Sequence, residues 1–122
     1  MGLKSKTVWE DRLYGDCLSV GLPMPQRNFR FVAGRKFCWD LAWPEFRIAV
    51  EIQGGVWASR RLGHATGAGI NRDCEKSNLA QLAGWISLAV TSDQIKSGQA
   101  LRWIELAFMK RKSLDNYEVA SR

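Results

Sequence analysis

The sequence predicts an α/β domain with its elements in the order α-β-β-β-α-β-α, and two observations carry that prediction. Residues 39–55, WDLAWPEFRIAVEIQGG, alternate apolar and polar side chains about a central Pro-Glu pair, as two paired strands do. Around this ribbon, apolar residues recur at helical spacing in three separate stretches, and a short β-prone run, WISLAV, lies between the last two.

Taken in order, residues 8–20 place Val8, Leu13, Cys17 and Val20 at helix-like spacing, and Gly21-Leu22-Pro23-Met24-Pro25 ends that helix. Phe29-Arg30-Phe31-Val32 reads as a first strand, with Gly34-Arg35 as a turn. Strands over 37–43 and 46–53 follow, joined through Pro44-Glu45 and closed by Gly54-Gly55. Residues 57–69, with Arg60-Arg61, His64 and three glycines, form a loop. A helix over 70–83 ends at Gly84, in the position a C-terminal glycine takes. After a strand over 85–90, Ser92 or Asp93 caps a last helical region, broken at Gly98, with Leu101, Ile104 and Phe108 on one side. It finishes in Lys110-Arg111-Lys112.

The 122 residues make one domain, with its core over about 8–109 and a basic tail over 110–122. An apolar content of 46% with 25% charged residues is ordinary for a folded chain and argues against disorder. There is no apolar run of bilayer length, and no signal peptide precedes the first charged residues, so a cytoplasmic protein is expected. Cys17, Cys38 and Cys74 form no Cys-x-x-Cys pair, which points to reduced thiols rather than disulfides or structural zinc. His64 is the single histidine, which removes poly-histidine metal sites and most histidine triads. The net charge of +6 favours polyanions, of which nucleic acid is the commonest.

Hairpin parity organises the chemistry. A connection centred on Pro44-Glu45 sets Leu41 opposite Ile48, and alternation sends Trp39, Leu41, Trp43, Phe46, Ile48, Val50 and Ile52 to an apolar core face. Cys38, Asp40, Ala42, Arg47, Ala49, Glu51 and Gln53 go to the other face, where Glu51 lies diagonally across from Asp40. Two such carboxylates repel unless something positive joins them, and the small Ala42 and Ala49 leave space beside them. Mg²⁺, with Mn²⁺ as a substitute, takes one or two carboxylates and shares phosphate oxygens. It polarises a phosphate and lowers the pKa of an attacking water. Gln53 on the same face can orient that water but cannot remove its proton.

Asp40, ten residues, then Glu51-Ile52-Gln53, within this element order, resembles the PD-(D/E)XK nuclease superfamily over about residues 10–108. The segments EIQGGVW, His64, DCEKSN and GWISLAV are similar to small bacterial and phage endonuclease domains related to very-short-patch repair endonucleases and Holliday junction resolvases. The resemblance implies a restriction-endonuclease-like core, αβββαβ(α), with a mixed central sheet flanked by helices. It implies metal binding by Asp40 and Glu51, with the Ile52 carbonyl and Glu10 of the first helix as further ligands. Gln53 stands where the motif has lysine, and in such nucleases the lysine can move to the following helix, where Lys76 lies. The alternative keeps Lys76 at the surface, paired with Asp73, or Arg72 paired with Glu75. His64 would assist the water or the leaving group. Arg60, Arg61, Arg72, Lys110, Arg111 and Lys112 are the expected phosphate contacts. Trp85 and Trp103 suit packing, whereas Trp57 lies beside the expected site and could stack on a base.

The function so implied is a Mg²⁺-dependent endodeoxyribonuclease of a bacterial or phage-encoded system, selective for branched or distorted duplex DNA. Two symmetric cuts imply a homodimer joined through the first or last helix. The other readings are a nicking mismatch or repair endonuclease, a nucleic-acid-binding module without catalysis, and a protein-binding or inhibitory factor.

Overall fold

The structure, a computed structural model, describes residues 6–53 and 67–120. Helix α1, Lys6–Ser19, buries Glu10, Leu13 and Cys17. The apolar stripe expected on it holds at Leu13 and Cys17 but not at its ends: Val8 and Val20 are exposed, and Glu10 turns inward. Its end is closed twice, by Leu22 N–H donating to the Cys17 carbonyl and Gly21 N–H to that of Leu18, with Gly21 at φ 83°. This is the Schellman arrangement, in which glycine takes the left-handed position.

Strand β1, Gln26–Phe29, pairs antiparallel with β2, Trp39–Trp43, through Gln26↔Ala42, Arg27↔Leu41 and Phe29↔Trp39. The expected strand over 29–32 thus starts earlier. Phe31 leaves the ladder and stacks on the Trp39 indole, centroids 3.9 Å apart. β2 pairs antiparallel with β3, Ile48–Ile52, in the register Leu41↔Val50, Ala42↔Ala49 and Trp43↔Ile48. The turn is centred one residue later than expected, with Arg47 in the left-handed region at φ 52°. Partners therefore shift by two positions, and alternation survives from Leu41 to Trp43 but not at Trp39. The ladder ends at Leu41↔Val50, and Asp40 and Glu51, expected on one face, go to opposite sides of the sheet, Asp40 toward Lys6 of α1 and Glu51 toward Lys76.

Helix α2, Gly67–Leu82, leads to β4, Ile86–Val90, which lies parallel to β3 and completes a mixed sheet in the order β1-β2-β3-β4. Its C-terminal end repeats the device of α1: Gly84, at φ 81°, donates to the Gln81 carbonyl and Trp85 to that of Ala80. Helix α3, Ser92–Ser97, is capped by Thr91 instead of Ser92 or Asp93, because Gln94 closes a reciprocal capping box with the threonine. Gly98 at φ 90° separates it from α4, Gln99–Ala120. The helix runs on through what the sequence suggested was a basic tail.

On one face of the sheet, Leu41, Trp43, Ile48, Val50 and Ile52 meet α1, α3 and α4 through Leu13, Ile95, Ile104 and Phe108. The other face packs Ala42 and Ala49 under Ala80 of α2. Trp39 belongs to this second cluster and not to the first face, where alternation would put it. The alanine clearing is filled in part by its indole, which lies against Phe31 and Trp85. Among the described residues, no helix is long and apolar enough to cross a membrane.

Candidate functional site

Three carboxylates lie where β2 begins and β3 ends, Asp40 and Glu10 on the α1 side and Glu51 on the α2 side, and each meets a basic side chain. Asp40, 8% exposed, accepts a hydrogen bond from the Ile52 N–H at 2.7 Å and faces the Lys6 ammonium of α1 at 3.1 Å. The β2–β3 register creates the first contact, so Asp40 joins the two strands as well as carrying charge. Ile52 thus contributes its amide to the centre.

Glu10 of α1 is also 8% exposed and accepts from Arg27 of β1 at 3.1 Å. Burial pushes its carboxyl above the ordinary value, and the Asp40 charge pushes it further, against the opposing pull of Arg27 and Lys6. Arg27 reaches Asp11 too, at 2.5 Å. Helix α1 thus brings Glu10 near Asp40.

Glu51 points to the opposite layer. It accepts from the Lys76 ammonium of α2, which also donates to the Cys38 carbonyl at 2.7 Å and lies 6.0 Å from the Trp39 ring centroid. The surface pairings weighed for this helix are therefore replaced. Lys76 bonds Glu51, and Glu75 is held by both terminal nitrogens of Arg35, at 2.5 and 2.8 Å. The Arg35 pair lowers the Glu75 carboxyl below its ordinary range. Glu51, Gln53, Lys76, Trp39 and Asp73 line a cleft of about 230 Å³ on the α2 side.

The remaining expected residues divide. Arg72 is exposed on α2, and Lys110 and Lys112 are exposed on α4. Arg111 instead donates to the carbonyls of Phe46 at 2.7 Å, Arg47 at 3.0 Å and Gly84 at 2.5 Å, tying α4 to the β2–β3 turn and the end of α2. That is a structural clamp, and it withdraws Arg111 from the expected phosphate contacts. Trp57, Arg60, Arg61 and His64 lie outside the described residues. Sequence reading missed Lys6, Arg27 and Arg35. The position of Lys6 four residues before Glu10, on the same helix face, was a usable signal. Nothing local marked Arg27 or Arg35.

Among the described residues, no cluster of three or more His, Cys, Asp or Glu side chains has the geometry to hold a metal ion. The class defined so far is an α/β domain with a four-stranded mixed sheet whose end carries a charge-paired acidic centre. Comparison with protein-family models, curated proteins and solved structures found no match to this chain.

Proposed function

We propose that this protein is a Mg²⁺-dependent DNA endonuclease, selective for branched or distorted duplex in the manner of a Holliday junction resolvase. One observation carries the reading. Gln53 occupies the place where the resembled motif has lysine, and an ammonium reaches Glu51 all the same, from Lys76 on the next helix.

The donor set fits one hard cation. Mg²⁺ takes one or two carboxylates and keeps several waters, so a cluster of three protein ligands is not required. Asp40 and Glu10 are buried carboxylates, and the Asp40 charge raises the cost of ionising Glu10, a repulsion that a divalent ion relieves. Lys6, a cation already beside Asp40, is partly exposed and can withdraw to solvent. When bound, the ion polarises a phosphate and favours ionisation of water.

The chain's own residues supply the rest. Lys76 is held by Glu51 and the Cys38 carbonyl, and its remaining N–H bond can steady charge growing on a phosphate oxygen. The Gln53 amide, on the same cleft, can orient a water by accepting from it. The small domain has little surface for reading a long base sequence, which favours recognition of DNA shape. Cutting a symmetric junction twice needs two copies, and exposed Leu106 and Met109 on α4 suit a contact between them.

The test is cleavage of labelled linear duplex, mismatch, flap and four-way junction DNA in Mg²⁺, Mn²⁺ or EDTA, by wild type, Asp40→Asn and Lys76→Met. Metal-dependent cutting that both substitutions abolish supports the nuclease, and the favoured substrate separates a resolvase from a nicking repair enzyme. The basic partner on each of Asp40, Glu10 and Glu51 favours one second reading, a DNA-binding module without catalysis. Binding without cutting in either metal selects that module and ends the catalytic proposal.

A further inference from the structure

A second cleft, of about 500 Å³, adjoins Glu51 and shares Lys76 with the site above, while its remaining basic residues have no part in that chemistry. Arg35, Lys36 and Phe37, from the segment entering β2, form one wall, and Arg72, Asp73 and Lys76 of α2 form the other. We propose that this cleft binds the phosphodiester backbone of DNA and leads the strand to Glu51 and Lys76. The inference rests on the nucleic-acid reading of the protein, though not on catalysis.

Charge is the first argument. Four cations face one acid in the lining. Two of the four are held in place: Lys76 by Glu51, and Arg35 by Glu75, with the Arg35 guanidinium 4.5 Å from the Phe37 ring centroid. A guanidinium fixed in this way loses little freedom when it binds an anion. Lys36 and Arg72 are exposed and have no ion-pair partner among the described residues, so their charges face the cleft uncompensated.

Continuity is the second argument. Lys76 and Asp73 line both this cleft and the smaller one beside Glu51, so the two share a wall on α2. The volume lies within the range of about 300–1,000 Å³ usual for ligand sites. A tetrahedral phosphate presents oxygens toward both walls at once, whereas a planar carboxylate of an acidic peptide satisfies one arginine fork. Arg72 stood out in the sequence as a basic residue near the site. Lys36 and Arg35 join it only because the segment entering β2 folds against α2.

The experiment is fluorescence anisotropy of labelled duplex and four-way junction DNA in EDTA, across a salt titration, which keeps cleavage out of the readout. Wild type, Lys36→Gln, Arg72→Gln and the double variant are compared with Lys96→Gln and Arg102→Gln, exposed cations on α3 and α4. Each cleft substitution is expected to weaken binding several-fold at fixed salt and to reduce the log–log salt slope by about one, and the double variant by about two. The α3 and α4 controls keep the wild-type slope. Cleft variants that bind with the full wild-type slope overturn the cleft while leaving DNA binding intact. A wild type without salt-dependent DNA binding removes the cleft and the nucleic-acid reading together. Polyglutamate that displaces DNA efficiently, and binds less well to the same variants, reassigns the cleft to acidic polypeptides and overturns the proposal.

Discussion

Asp40 has two separable jobs, and two substitutions tell them apart. Its carboxylate accepts from the buried Ile52 N–H at 2.7 Å and faces Lys6 at 3.1 Å. Asp40→Ala deletes the acceptor and leaves a backbone donor unpaired in a site that is 8% exposed, at a cost of about 1–3 kcal/mol. The Lys6 pair adds little, about 0–1 kcal/mol, because the lysine side chain is 38% exposed and returns to water. Part of either loss is offset as Glu10 is relieved of a neighbouring charge. Asp40→Asn keeps an oxygen for Ile52 and loses only the ion pair. In urea denaturation at neutral pH, Asp40→Ala should therefore fall by about 2 kcal/mol and Asp40→Asn by about 1 kcal/mol or less, with unchanged slopes. Equal losses for the two, or none for alanine, would refute the strand-joining role. The asparagine variant is accordingly the cleaner probe of cleavage, since it removes the charge while keeping the fold.

Arg111→Ala should destabilise the domain by about 2–3 kcal/mol, because three carbonyls at the β2–β3 turn and the end of α2 lose a charged donor. The salt slope of DNA binding should stay unchanged, and a reduced slope would return Arg111 to the phosphate contacts. Glu10 ionises at higher pH in the folded chain than in the unfolded one, so the folded state binds more protons in the window above 4.5. Stability should decline as pH rises through that window, and Glu10→Gln should flatten the decline; parallel urea midpoints for the two proteins across the window would contradict it. Burial pushes the Cys17 thiol up to about 12, so it should resist a disulfide reagent in the native state while exposed Cys74 reacts. Peptide mapping that finds Cys17 labelled as fast as Cys74 would contradict that packing.

Much of the fold was legible because its signals are local. The elements follow from apolar period, and Gly21, Gly84 and Gly98 mark helix ends because each takes a positive φ that other residues resist. The register was legible to within two positions, since alternation constrains parity but not register. The shared face expected for Asp40 and Glu51 was not, because Asp40 meets Lys6 of α1 and Glu51 meets Lys76 of α2. What moved the register was the turn, where Arg47 adopts left-handed geometry and its carbonyl accepts from Ile86, at the start of a strand 39 residues away.

By itself the sequence determined the order of elements, the two carboxylates at one end of a ribbon and a following helix that carries Lys76. Those are properties of spacing and residue type, which the chain carries before it folds. Tertiary structure alone decided which cation meets which acid: Lys6 with Asp40, Arg27 with Glu10, Lys76 with Glu51 and Arg35 with Glu75. It also sent the Trp39 indole to the α2 side and closed a basic cleft from two segments that no motif links. The reason is that ion pairs and ring contacts depend on distances of a few ångström across packed layers. Such distances arise from the way helices seat on a sheet, and hydrophobic burial drives that seating without regard to the charges it brings together.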